Sequence, residues 1–276
     1  MDAKAIARRA DLRRADVITM IHLAKAGHTG GSLSELDILS VLYDAVMKVS
    51  PDTAKDPNRD RFLLSKGHSV EGYLAVLADK GFIEKKELLT FSKAGSRLIG
   101  HPTNKVPGVE MCTGALGHGL SIGVGMALAA KRTGRSYRTF VLMGDGEQAE
   151  GSVWEAAMAG ANYKLDNLFA IIDRNGLQIS GQTEKVMALE DFAEKWAAFG
   201  WEVTEIDGHD IQAILDYFAS RGANGKPHCL ICHTVKGKGL PMGENKKEWH
   251  HKVPSREQVD EALVALGVKG VEWYEN

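Results

Sequence analysis

A chain of 276 residues with 44% apolar and 25% charged content has ordinary globular proportions and enough material to bury a substantial core. Its formal net charge of −2 leaves no basic excess to neutralise a nucleic-acid backbone, so nucleic acid is not an expected partner. No stretch approaches the roughly 20 apolar residues needed to cross a bilayer, the N-terminus mixes charges into its apolar residues, and Cys112, Cys229 and Cys232 are too few for a disulfide framework; the expectation is a soluble, cytoplasmic protein with no membrane partner.

Taken in chain order, the spacing of apolar residues predicts a long amphipathic helix over about residues 2–25. It breaks at Gly27 into the loop HTGGSLSE, and SELDILSVLYDAVM then resumes a helical period. RFLLS reads as a short strand, KGHS as a polar turn and EGYLAVLADKG as a helix. The segment TGALGHGLSIGVGMALAAKR opens with small residues and becomes helical in its second half. Three apolar runs, RTFVLM, NLFAIID and HCLICHTV, read as strands, with WEVTEID as a fourth. Between them lie the helical stretches SVWEAAMAGANYK, EDFAEKWAAFG and DIQAILDYFASR. This alternation predicts an α/β fold, a mostly parallel central sheet with helices on both faces. No linker divides the chain, so one domain is expected over residues 1–276, with an extended C-terminal loop and helix; KGKGLPMGENKK (236–247) reads as a mobile loop.

The chemistry is concentrated where two strands end. RTFVLM runs into GDGEQAEG, which stands Asp145 between Gly144 and Gly146 at the carboxyl edge of the sheet, where open parallel sheets bind ligands. The glycines permit a tight turn and keep side chains away from an incoming phosphate, and the helix that follows presents backbone N–H groups. Thirty positions later NLFAIID ends in RNGLQISG and brings Asn175 to the corresponding edge of a neighbouring strand. A carboxylate, an amide oxygen and a backbone carbonyl suit Mg²⁺ or Ca²⁺, with diphosphate oxygens and water completing the shell. GDG alone is as readily a plain turn; the information lies in its pairing with Asn175 at this spacing.

GDG followed after about thirty residues by DRN resembles the thiamine-diphosphate fingerprint, and GDGEQAEGSVWEAAMAGANYKLDNLFAIIDRNGLQISG resembles the transketolase family over its whole length. The resemblance implies the thiamine-diphosphate-binding fold, with Asp145, Asn175 and the carbonyl of Leu177 as metal ligands and Ile179 packing against the cofactor. Transketolases often carry Asp where this chain has Arg174, a change expected to lie on the surface. AGHTGGSLS supplies His28, SKGHS supplies His68, IGHPTNKVPGVEMCTGALGHGLS supplies His101, Gly114, Leu116 and His118, and EWHHKVP supplies His250, with His251 as the other register. By resemblance His28, His68, His101 and His250 are the catalytic histidines, which orient sugar hydroxyls and move protons, as neutral imidazoles near pH 7 can. Gly144, Gly146, Gly114, Leu116 and His68 line the cofactor slot, and Glu150 and Glu155 face a subunit interface.

The family resemblance covers the diphosphate-binding domain only. It implies a ketol transfer between a ketose phosphate and an aldose phosphate, as in the pentose phosphate pathway. It also implies a separate C-terminal subunit that binds the aminopyrimidine end, in a heterotetramer with two copies of each chain. Alternatives are a relative specialised for an unusual sugar phosphate or sulfosugar, a synthase condensing pyruvate with glyceraldehyde phosphate, and a non-catalytic cofactor-binding scaffold. CLICH, at Cys229 to His233, matches a haem-attachment pattern, but strand alternation sends its two cysteines to opposite faces.

Overall fold

The computed structural model describes residues 2–271, 273 and 274; the expected domain of 1–276 therefore includes residues 1, 272, 275 and 276, which lie outside the described residues. The chain opens with α1 (Ala3–Ala24), capped by the Asp2 side chain, which accepts from the Ala5 N–H. Next come α2 (Thr29–Ser34) and α3 (Leu36–Val41), the latter extended by a π turn over Leu42–Val46. Strand β1 (Arg61–Leu64) precedes α4 (Val70–Asp79); α5 (His118–Arg132) leads to β2 (Thr139–Gly144), and α6 (Gly151–Asn162) to β3 (Leu168–Arg174). A small antiparallel pair, β4 (Leu177–Gln178) and β5 (Gly181–Gln182), is followed by α7 (Thr183–Val186), α8 (Phe192–Ala198), β6 (Glu202–Asp207), α9 (Ile211–Ala219), β7 (His228–His233) and α10 (Arg256–Ala265).

Five of the strands form one parallel sheet in the order β1-β2-β3-β7-β6. The three inner strands are apolar without interruption because both of their faces are covered. Phe140, Leu142, Phe169, Ile171, Leu230 and Cys232 join the core shared with α1, α3, α4 and α9. Val141, Met143, Leu168, Ala170, Ile172, Cys229 and Ile231 point the other way, into a second core under α5, α6 and α8. Cys229 and Cys232 thus lie on opposite faces, both buried, which leaves no paired thiols for haem attachment. Among the described residues no helix is long and apolar enough to cross a membrane.

The structure corrects two local expectations. HTGGSLSE is not a loop: Thr29–Ser34 is a buried helical turn. Two adjacent glycines disfavour a helix, by about 1 kcal/mol each relative to alanine, and packing overrides that preference. A side chain at Gly30 would stand 2.8 Å from the Trp249 carbonyl, so only glycine lets α2 lie against the late chain there. The 236–247 segment is likewise a packed succession of turns rather than a free loop. The Gly237 N–H donates to the Gly30 carbonyl and the Asn245 N–H to the Lys236 carbonyl, both at 2.9 Å, and Leu240 is fully buried.

Candidate active site

The register between β2 and β3 pairs Gly144 with Asp173, so the two strands end side by side and their following turns leave the sheet together. The Asp145 carboxylate, 2% exposed, joins these turns. Its Oδ1 accepts the Gly146 N–H at 2.8 Å and its Oδ2 accepts the Gly176 N–H at 2.6 Å. Asn175 turns its Oδ1 to the Leu177 N–H at 3.1 Å and its Nδ2 to Asp173 Oδ2 at 3.3 Å. Glu147 fastens the surrounding loops: it accepts from Ser65 at the end of β1, from the Gly117 N–H at 2.8 Å and from the Gly144 N–H at 3.0 Å.

Above these turns opens a cleft of about 430 Å³. Of the residues expected at the site, His28, His68, His250, Gly114, Leu116, Gly144, Asp145, Gly146, Asn175, Leu177, Ile179 and Glu150 line it. His101 is exposed at the rim, its ring centroid 6.5 Å from that of His28. His118 is exposed, its Nδ1 3.1 Å from the Leu116 carbonyl, and is not among the lining residues. Glu155 lies on the exposed side of α6, and Glu150 is the exposed residue that flanks its N-terminus. Ile179 is 68% exposed, an open apolar side chain at the cleft wall.

Two cations in the cleft wall carry no expectation from the sequence, although Lys66 lies two residues from His68 on the same strand-to-helix turn. The Lys66 ammonium is buried and donates to Glu35 Oε2 at 2.8 Å, Asp173 Oδ2 at 2.7 Å and the Gly31 carbonyl at 2.9 Å, which uses all three of its protons. Burial acts to lower its pKa, but the carboxylates of Asp173 and Glu35 outweigh burial and hold it above the usual lysine value. Burial pushes Glu35 up to about 8 in spite of Lys66, so at neutral pH the charged pair is Lys66 with Asp173. Lys236, 3% exposed, reaches the cleft from the 236–247 turns and donates to the Leu177 carbonyl at 3.2 Å. Burial, then repulsion from Lys66, pulls it down to about 8.

Arg174 is not a surface change. Its Nη1 donates to Asp145 Oδ2 at 3.2 Å and to Thr183 Oγ1 at 2.6 Å, and its Nη2 to Glu184 Oε1 at 2.6 Å. The histidines form one group. The rings of His68 and His250 stack at 5.2 Å and 29°, and His28 stands edge-on to both, at 5.2 and 5.6 Å. Burial, reinforced by nearby lysines and other histidines, lowers His28 to about 4, His250 to about 3 and His68 to about 2, so all three are neutral at physiological pH. Each then offers one donor and one acceptor.

This donor set suits a metal-bridged diphosphate. Among the described residues no group of three or more His, Cys, Asp or Glu could hold a metal ion unaided, so a cation at Asp145 needs the Asn175 amide oxygen, the Leu177 carbonyl and oxygens from a ligand. Burial and the neighbouring Asp173 carboxylate push Asp145 up, the mark of a site short of positive charge. Lys236 in the cleft wall is placed to meet phosphate oxygens, whereas the Lys66 protons are already taken, and the glycines leave the approach open. A parallel sheet with an acidic turn and an asparagine turn at its carboxyl edge, under neutral imidazoles, defines a diphosphate-cofactor domain of the thiamine-dependent class.

The transketolase thiamine diphosphate binding domain matches residues 6–275, and the chain belongs to that family. It is 53% identical to one subunit of the apulose-4-phosphate transketolase of Phocaeicola vulgatus, over 95% of this chain and 94% of the relative. It is 39% identical to the 6-deoxy-6-sulfo-D-fructose transketolase subunit SqwG of a Clostridium species, over 88% of this chain and 90% of the relative. The solved transketolase of Campylobacter jejuni superposes with a TM-score of 0.92 at 30% identity, covering 97% of this chain and 43% of that one. The chain thus spans about two-fifths of the solved transketolases it matches.

Proposed function

We propose that this chain is the thiamine-diphosphate-binding subunit of a two-polypeptide transketolase, which moves a two-carbon ketol unit from a ketose phosphate to an aldose phosphate. One observation carries the reading: the Gly176 N–H bond to Asp145, at 2.6 Å, draws the Asn175–Leu177 turn against the acidic turn beneath a cluster of neutral histidines. Bound thiamine diphosphate supplies the electron sink for breaking a carbon–carbon bond.

Asp145, Asn175 Oδ1 and the Leu177 carbonyl hold Mg²⁺, or Ca²⁺, against the diphosphate. His68, Gly114, Leu116, Gly144, Gly146 and Ile179 shape the cofactor slot, with Lys236 facing the phosphates and Lys66 holding Asp173 beneath them. His28, His68, His101 and His250 bind sugar hydroxyls and carry protons at their ring nitrogens, which the neutral state of the partly buried His28, His68 and His250 permits.

The 276 residues form one cofactor-binding domain in this reading. Relatives of matching length are named as subunits, which supports a separate pyrimidine-binding partner. Two copies of each chain in a cytoplasmic heterotetramer, with the exposed Glu150 and Glu155 at the interface, complete the assembly. A substrate outside the ordinary pentose phosphate series is favoured by the names of these relatives, one an apulose phosphate enzyme and the other a sulfosugar enzyme. The test is reconstitution: the isolated chain binds thiamine diphosphate with Mg²⁺ and is inactive, and ketol transfer appears on adding the co-purified partner. Full turnover by the isolated chain would contradict the two-polypeptide assignment.

A further inference from the structure

The imidazoles at the cleft are arranged in two tiers around one ring. His68 and His250 are the inner tier and line the cleft, and His250 Nδ1 is buried without a hydrogen-bond partner among the described residues. The His28 ring packs edge-on against this tier and also against His251, which is exposed, absent from the cleft lining, and 4.5 Å from the His28 ring centroid, closer than His68, His250 or His101.

This placement is built rather than incidental. His250 and His251 are consecutive in the 3₁₀ turn Lys247–His251, where successive side chains diverge by about 120°. His250 accordingly lines the cleft while His251 is exposed, and both rings pack against His28. The turn is fixed by Trp249, which is 2% exposed, and by Thr29 Oγ1, which donates to the Lys252 carbonyl at 2.6 Å. Thr29 follows His28 directly, so the backbone of the outer histidine is tied to the backbone of the central one.

We propose that His251 is a substrate-positioning residue that hydrogen-bonds hydroxyls of the sugar phosphate remote from the two transferred carbons, and so sets preference among ketoses. The inference rests on the ketol-transfer reading above and deepens it. The reacting end of the sugar must reach the cofactor slot, past the inner tier. The remainder of the sugar then extends toward the exposed side of the cluster, where His251 stands beside His28. An imidazole suits a hydroxyl partner there because it can donate and accept.

The test uses the complex with its partner subunit, carrying His251→Ala or His251→Gln, assayed with two ketose phosphates that differ beyond the transferred carbons, apulose 4-phosphate and D-fructose 6-phosphate. His251→Ala is expected to raise KM by about three- to tenfold, the worth of one hydrogen bond to a neutral group, unequally for the two ketoses and with kcat little changed. His251→Gln, which keeps a donor and an acceptor, recovers part of the loss. Thiamine diphosphate affinity, measured calorimetrically on the variant chain, stays at the wild-type value. Equal KM values in variant and wild type, or a parallel loss of cofactor affinity, overturn the assignment. A wild-type complex that binds the cofactor but turns over no ketose overturns the ketol-transfer reading and this subsite together.

Discussion

The carboxyl group of Glu71 holds the turn that carries His28: Oε1 accepts the His28 N–H at 2.9 Å, and Oε2 accepts the Ser32 hydroxyl at 2.7 Å. Glu71 is fully buried and has no ion-pair partner among the described residues, and burial pushes its pKa from 4.5 up to about 7. The folded chain therefore holds this proton more tightly than the unfolded chain. The resulting stability is full below about pH 4.5, declines as pH rises, and is lost above about pH 7. Glu71→Gln keeps an acceptor for His28 without the charge. It is expected to stabilise the fold by on the order of 1–3 kcal/mol at pH 8 and by much less at pH 5. Thermal melts at the two pH values check this; equal shifts at both would refute the linkage.

Removing the Asp145 carboxylate separates cofactor anchoring from sugar handling. Asp145→Ala should abolish Mg²⁺-dependent thiamine diphosphate binding in a calorimetric titration. His28→Ala should retain that binding and lower turnover of the assembled enzyme by about 10²- to 10⁴-fold, the range for loss of a proton-transferring group. Undiminished cofactor affinity in the aspartate variant would remove the metal assignment.

Arg174 makes the acidic turn and the following segment one unit. It links Asp145 to Thr183 and Glu184, and the Glu184 carboxylate in turn accepts the N–H groups of Leu189 at 3.2 Å and Glu190 at 3.2 Å. Arg174→Leu should release residues 183–190, read as faster amide exchange confined to that stretch while β2 and β3 remain protected. Uniform exchange across the chain would argue that the arginine supports the whole fold instead.

Gly114 keeps His101 in place by having no side chain. Its φ of 145° lies where L residues are strained, and an added Cβ would stand 2.5 Å from His101 Cδ2. Gly114→Ala is expected to cost about 1–3 kcal/mol in stability and to displace His101 from the rim, lowering turnover. A variant that melts and turns over like wild type would show that the backbone there has more freedom than this contact allows.

The sheet and its ligand edge were legible in the sequence because a parallel strand buried on both faces must be continuously apolar, as RTFVLM, NLFAIID and HCLICHTV are. Asp145 and Asn175 were legible for the same reason: each directly follows the end of such a strand, and β2 and β3 are neighbours. Local patterns could not report that Gly30 and Gly31 sit in a helix, that Arg174 reaches back to Asp145, or that Lys66 and Lys236 face one cleft. Those facts depend on residues far apart in the sequence: Arg174 lies 29 positions from Asp145, Lys66 170 from Lys236, and Gly30 219 from Trp249. The choice between His250 and His251 belongs to the same kind. Sequence spacing makes them equivalent, and only the direction in which a 3₁₀ turn anchored by the buried Trp249 points its consecutive side chains puts His250 in the cleft and leaves His251 exposed beside His28. Periodicity specifies which face of an element is buried, whereas the partner that buries it is settled only when distant parts of the chain pack together.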